Sequence, residues 1–215
     1  MPAAIRIAEP DLDPARAIGR IVCQQAKHRF VSTAVLVRDT RTLLAAGHFN
    51  SDDLAARHLP ISSCRFEHRS ASGTRFASAF TLVETGGGPM ERRLTPATDW
   101  AVLRLAEPAP RFMQPVTRIS DPEEAVASPL EMAAYDDPGR YGSAVSLEAC
   151  KGWRGDARSV VMRHSCRTRP GQSGSPIFRA DRSELELTAI HVGAGETAGR
   201  AVLLAKSLRR ALLST

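Results

Sequence analysis

The sequence predicts an all-β protein of two antiparallel lobes closed by a C-terminal helix, and three observations carry that expectation. Short strand-like runs recur along the chain, separated by turn clusters such as Asp39-Thr40-Arg41 and Gly86-Gly87-Gly88-Pro89. That spacing suits an antiparallel barrel or sandwich rather than alternating strands and helices. The pattern breaks once, at residues 106–115, where Pro108, Pro110 and Pro115 interrupt any ladder. Finally, residues 205–213 place Leu208, Leu212 and Leu213 at helical spacing among Lys206, Arg209 and Arg210, the pattern of an amphipathic helix packed on the second lobe.

In chain order, residues 1–18 lack a clear period and read as an arm against the surface. The first lobe, 19–106, begins with strand-like segments at 17–23, 32–38, 42–46, 63–67, 76–84 and 100–105. A short helix is expected at 52–57, its paired acids on a solvated face. Residues 107–115 form the linker. The second lobe, 116–215, carries strand-like runs at 115–119, 131–135, 143–149, 159–164, 175–179, 186–191 and 200–204, then the helix.

Composition bounds the chemistry. The chain has 215 residues, enough for one large or two small cores, and its apolar content of 43% against 5% aromatic calls for aliphatic cores. A net charge of +6 comes from scattered arginines, the pattern of a solvated surface, and a net positive field favours acidic substrates. No basic block interleaved with aromatics or nucleic-acid motif is present, so no nucleic-acid partner is expected. No apolar stretch is long enough to span a membrane, and no export signal is visible in the opening residues. The sequence does not give the oligomeric state.

Four cysteines, Cys23, Cys64, Cys150 and Cys166, allow three full pairings, with free buried thiols as the other alternative. None has the close spacing of a zinc or redox motif. Pairing within each half, Cys23 with Cys64 and Cys150 with Cys166, is the economical arrangement. It would suit a secreted or periplasmic location, in tension with the missing signal.

The chemistry centres on Gly171-Gln172-Ser173-Gly174-Ser175-Pro176. Glycines on either side of a serine permit a tight bend that projects the hydroxyl and aims successive N–H groups at one point, as a developing oxyanion requires. A serine hydroxyl needs a base, itself oriented by a carboxylate. His48 closes the apolar run Thr42-Leu43-Leu44-Ala45-Ala46-Gly47-His48, and Asp99 opens Asp99-Trp100-Ala101-Val102-Leu103-Arg104-Leu105.

These three segments, in the order His48, Asp99, Ser173, resemble the histidine, aspartate and serine motifs of the chymotrypsin-like (trypsin-like) serine peptidases. The Gly-x-Ser-x-Gly signature of α/β-hydrolases fails because residue 175 is serine, and that family orders its triad differently. The resemblance implies two six-stranded antiparallel β-barrels with the site between them. It implies Ser173 as nucleophile, His48 as base, Asp99 as its orienting carboxylate, and the N–H groups of Gly171 and Ser173 as the oxyanion hole. The substrate would be a protein or peptide, and neither a metal nor an organic cofactor is required.

Arg167 stands where trypsins carry an aspartate, which disfavours cleavage after Lys or Arg. The run Ala189-Ile190-His191-Val192-Gly193 looks like the corresponding strand of bacterial glutamyl endopeptidases. There a histidine in the place of His191 and a threonine in the place of Thr168 bind the substrate carboxylate; with Arg167 beside them, the resemblance implies an acidic preference. The sequence departs from the family at Gly47, usually alanine, at Phe49, usually cysteine, and at Gln172. A neutral amide at 172 cannot pair with a newly cut N-terminal amine as the trypsin aspartate does. The rival expectation is a catalytically silent peptidase fold used as a binding module.

Overall fold

Strand patterning alternates between two destinations, and this partition builds the molecule. The computed structural model describes residues 13–52, 57–69, 73–87, 94–138, 144–181 and 184–214. The first sheet contains β1 (Ile18–Gln25), β2 (His28–Leu36), β3 (Thr42–Ala45), β6 (Cys64–Arg69), β7 (Arg75–Ser78), β8 (Phe80–Thr85) and β9 (Ala101–Leu105) in the order β7-β6-β1-β2-β3-β9-β8. A separate pair, β4 (Ser51–Asp52) and β5 (Arg57–His58), lies between β3 and β6. The second sheet contains β10 (Arg118–Ile119), β11 (Leu130–Tyr135), β12 (Val145–Cys150), β13 (Gly152–Trp153), β14 (Val161–His164), β15 (Pro176–Arg179), β16 (Glu186–Ala194) and β17 (Gly199–Leu203).

Successive side chains on a strand face opposite ways. Leu36, Leu43, Ala45, Ala101 and Leu103 enter a core inside the first sheet, with Phe49 and Phe66. Their neighbours Val35, Val37, Leu44, Ala46 and Val102 enter a different core, shared with Ala133, Tyr135, Phe178, Ile190, Val192 and Val202 of the second sheet. A third core, inside the second sheet, takes Met132, Ala134, Ile177, Ala189 and Ala201. Both faces of these strands are therefore buried, which explains runs such as Leu43-Leu44-Ala45-Ala46 that show no polar alternation. The fold is chymotrypsin-like, two curled sheets packed against each other, antiparallel except where β10 runs parallel to β16.

Several expectations need correction. The strand expected at 76–84 breaks at Ala79 into β7 and β8, so the sheet counts seven strands rather than six; the Ala79 carbonyl leaves the ladder to accept from Ala106 N at 2.9 Å. The second sheet counts eight, because the short strands β10 and β13 join it. The helix expected at 52–57 is not formed at its ends, where Asp52 and Arg57 pair across β4 and β5; residues 53–56 lie outside the described residues. Residues 1–12 of the expected arm and the turn residues Gly88 and Pro89 also lie outside them.

The C-terminal helix α2 (Lys206–Leu213) buries Leu208, Ala211 and Leu212 in the shared core, while Leu213 is 70% exposed. Ala211, not Leu213, completes the face because an i, i+3, i+4 set covers one side of a helix. A further helix, α1 (Pro122–Ala127), starts at Asp121, whose side chain accepts from Glu123 N at 2.9 Å. The proline-rich segment is no loose tether: Ala109 and Met113 are buried in the first core, and Ala109 N donates to Thr40 O at 2.6 Å.

Both predicted disulfides are formed. Cys23 and Cys64 sit opposite each other on β1 and β6, and Cys150 joins Cys166 at the end of β12. No described helix is long and apolar enough to cross a membrane.

Phe66 is fully buried, edge-on to Phe76, and its ring occupies the space beside Gly19. Phe66→Ala should cost about 3–5 kcal/mol. The check is urea unfolding, where a lower midpoint with an unchanged slope is expected.

Candidate active site

The site lies where the shared core reaches the surface. Ala46 is the last core residue before a turn, and His48 sits in that turn rather than at the strand end, since β3 stops at Ala45. Trp100, also in the shared core, anchors the start of β9 and fixes Asp99 just before it. His48 Nδ1 lies 2.7 Å from Asp99 Oδ2, and the His48 backbone N–H donates to Asp99 Oδ1 at 3.0 Å. Both carboxylate oxygens are thus committed to one residue, which fixes the ring's orientation. Asp99 is 7% exposed.

Gly47 is accounted for by space. A Cβ there would come within 2.9 Å of Leu94 Cδ1 and 3.2 Å of Asp99 Oδ1. Phe49 turns into the first core, edge-on to Phe80, in the same cluster as Cys23 and Cys64.

The Ser173 loop is fastened to the first lobe by backbone bonds. Thr33 N donates to Ser173 O at 2.7 Å, and Thr33 Oγ1 donates to Gly171 O at 3.1 Å. Gly174 N donates to His191 O at 2.6 Å, tying the same loop to β16. Gly171 and Gly174 hold φ of 90° and 88°, the left-handed region that disfavours any side chain. At Gly174 a Cβ would also fall 2.0 Å from Thr33 O. Among the described residues, neither the Gly171 nor the Ser173 N–H donates to a protein acceptor.

Gln172 is 6% exposed and uses both ends of its amide. Nε2 donates to Tyr135 O at 2.8 Å, and Oε1 accepts from Arg169 N at 2.8 Å. A neutral group thereby holds the loop where an ion pair was ruled out.

His48 and Ser173 line one open cleft of about 330 Å³, bounded also by Arg29 to Ser32, Phe49, Ser51, Pro170 and Gly171. The residues predicted to bind the substrate side chain do not line it. Arg167 is exposed, its N–H donating to Glu148 Oε1 at 2.9 Å, and Thr168 is half-buried. His191 lies behind the serine loop, 3% exposed.

His164 carries no functional signal in the sequence. It is fully buried, and its Nε2 lies 3.0 Å from His191 Nδ1. It ends an ordinary strand run, and nothing in sequence distance links it to position 191. Burial lowers the His164 pKa to about 4. Burial, then the neighbouring imidazoles of His164 and His48, lowers that of His191 to about 3. Both rings are therefore neutral at pH 7. Cys150, His164 and Cys166 bring ligand-type atoms within 4.8 Å of one another, but the two sulfurs are bonded to each other and offer no thiolate.

Unfolded histidines titrate near 6.5, so below that pH the unfolded chain binds more protons than the folded one. The contribution of this pair to stability is complete above pH 6.5 and declines as pH falls toward 4. Urea midpoints at pH 7.5 and pH 5 should show the drop, and His164→Gln should make it shallower.

Residues 32–190 match the family described as trypsin-like peptidase domain. Among solved structures, the chain is similar to a thermostable serine protease from an extremophilic microorganism, with TM-score 0.67 and 15% identity over 92% of this chain and 95% of that one. It is similar to a Glu endopeptidase in complex with MPD, with TM-score 0.66 and 12% identity over 97% and 94%. It is also similar to the HtrA-type protease AlgW with a tripeptide, with TM-score 0.61 and 15% identity over 95% of this chain and 60% of that one. A search of curated proteins finds no match. The family match spans most of the chain and takes in His48, Asp99 and Ser173: this protein belongs to the trypsin-like peptidase domains, and it is a serine endopeptidase.

Proposed function

We propose that the chain hydrolyses peptide bonds through an acyl-enzyme on Ser173, with His48 as proton carrier and Asp99 as its orienting carboxylate. The observation that carries this is the 2.7 Å contact between His48 Nδ1 and Asp99 Oδ2 on a ring that shares one cleft with Ser173. With Nδ1–H directed at Asp99, Nε2 is the His48 nitrogen that accepts the hydroxyl proton.

Ser173 Oγ attacks the scissile carbonyl while its proton passes to His48 Nε2. The carbonyl oxygen takes up negative charge, and the N–H groups of Gly171 and Ser173 receive it; each such donor is worth about 3 kcal/mol in the transition state. Collapse expels the amine, which takes its proton from His48, and leaves an ester on Ser173. Water, deprotonated by His48, then attacks that ester and frees the acid. Atoms balance with one water consumed, and no cofactor enters.

An acidic side chain before the scissile bond is the preference we assign. Its support is the neutral pair His191 and His164. In the tautomer where His164 Nε2–H donates to His191 Nδ1, His191 carries its proton on Nε2 and would offer it to an arriving carboxylate in exchange for the Arg200 backbone. Arriving negative charge would raise the His191 pKa and strengthen that bond.

An active-site phosphonate should label the parent and not Ser173→Ala. Asp99→Asn should lower kcat by about 10⁴. An unlabelled parent would instead favour a silent binding module. In a panel of peptides with Glu, Leu or Lys before the scissile bond, Glu should give the highest kcat/KM, by about tenfold or more. Faster turnover after Lys or Leu would overturn the acidic preference while leaving the hydrolytic assignment intact.

A further inference from the structure

We propose that Arg20, on the first lobe, is a positioning residue for the oxyanion-binding turn of the Ser173 loop; the role rests on the reaction proposed above. Arg20 lies mid-way along β1, opposite Thr33 on β2 and Glu67 on β6. It is 3% exposed. Its guanidinium donates from one terminal nitrogen to Pro138 O at 3.1 Å, lies 3.6 Å from Glu67 Oε2 through the other, and sits with its carbon 5.7 Å from the centre of the Tyr135 ring. One planar group therefore grips the segment 135–138 of the second lobe from a strand of the first.

That segment is the wall against which the serine loop rests. Tyr135 O accepts from Gln172 Nε2 at 2.8 Å. Pro138 lies so close to Gly171 that a Cβ on the glycine would come within 2.8 Å of the proline ring. Tyr135 is in turn tied to β1, its hydroxyl donating to Ile18 O at 3.3 Å. Glu67, Arg20, the 135–138 segment and the pair Gly171 and Gln172 form one continuous path between the lobes. Thr33 meets the same loop from the other side.

A buried guanidinium carries a desolvation cost that an aliphatic side chain of similar volume would avoid. What the planar fork adds is fixed direction to several partners at once. Gln172 has no charge with which to lock the loop, so the loop conformation follows the position of Tyr135 O and Pro138. Arg20 sets that position. Its loss should disturb the N–H of Gly171 in the transition state more than substrate binding.

The test compares Arg20→Met and Arg20→Lys with the parent, on a peptide ester and the matching thionoester. Sulfur is a poorer hydrogen-bond acceptor than oxygen, so the ratio of ester to thionoester kcat/KM reads how well the oxyanion site is formed. Glu67 retains its contact with Arg65 when Arg20 is replaced, which limits the cost of an orphaned carboxylate. Arg20→Met should fold, lower kcat by about 10- to 100-fold with KM within about twofold, and lower the ester to thionoester ratio. Arg20→Lys should recover part of kcat. The double variant Arg20→Met/Gln172→Ala should be little slower than the slower single variant, as expected of groups acting through one loop.

An active parent with an Arg20→Met variant of unchanged kcat, or with an unchanged ratio, overturns the role. So does a loss confined to thermal stability. If Arg20→Met fails to fold, Glu67→Gln is measured in its place and judged by the same kcat and ratio. A parent that turns over neither ester nor peptide refutes the hydrolytic assignment itself, and the positioning role with it.

Discussion

The structure depends on one constraint: strands β2, β3 and β9 of the first sheet, and β11, β15, β16 and β17 of the second, must bury both faces. One face fills the interior of its own sheet and the other meets the opposite sheet. Side chains alternate along a strand, so each residue's destination follows from its parity. His48 and Asp99 occur where strands leave this seam, His48 after Ala46 and Asp99 before Trp100, whereas His191 lies within β16 on the face opposite Ile190 and Val192. An apolar seam of this kind supplies stability and a fixed relation between lobes, and its rim supplies the low dielectric in which a few polar contacts become strong.

What the seam does not supply is the conformation of the serine loop, which is held by bonds rather than burial. Ser173 and Gly171 carbonyls are taken by Thr33, the Gly174 N–H by His191 O, and both ends of the Gln172 amide by backbone groups. None of these ties uses the N–H of Gly171 or of Ser173. The left-handed φ at Gly171 and Gly174 is the geometric condition for that division. The loop is thus anchored on three elements from two lobes, so its shape is a property of how the lobes are docked. The neutral pair His191 and His164 sits directly behind it, its charge suppressed by burial in the same dry region.

Much of the fold was legible because short apolar runs between turn residues encode strands in a way that survives any tertiary context. The strand at 42–46 and the one at 100–105 were readable on that ground, and so was the helix carrying Leu208 and Leu212. Leu213 misled because three leucines near one another outweigh an alanine in pattern, whereas a helix face cares only about angle. The helix at 122–127 was missed although Asp121-Pro122 is a sound start signal, because six residues are too few to show a period. The candidate site was readable as three motifs, but its support was not. Arg20 and His164 each sit in a plain strand run, and their partners at 138 and 191 are far along the chain. Only the folded chain brings Pro138 to Gly171, or His164 to His191. Gln172 could be read as unable to form an ion pair, but not as a two-ended amide bridge.

The proposed reaction places covalent chemistry at one hydroxyl in the cleft between the lobes. The most direct measurement is the intact mass of the protein after brief reaction with an activated peptide ester and acid quench, followed by peptide mapping of the adduct. A single added acyl group, with loss of the ester's leaving group, is expected on Ser173. An unmodified chain, or an acyl group settled on any other residue, would contradict it.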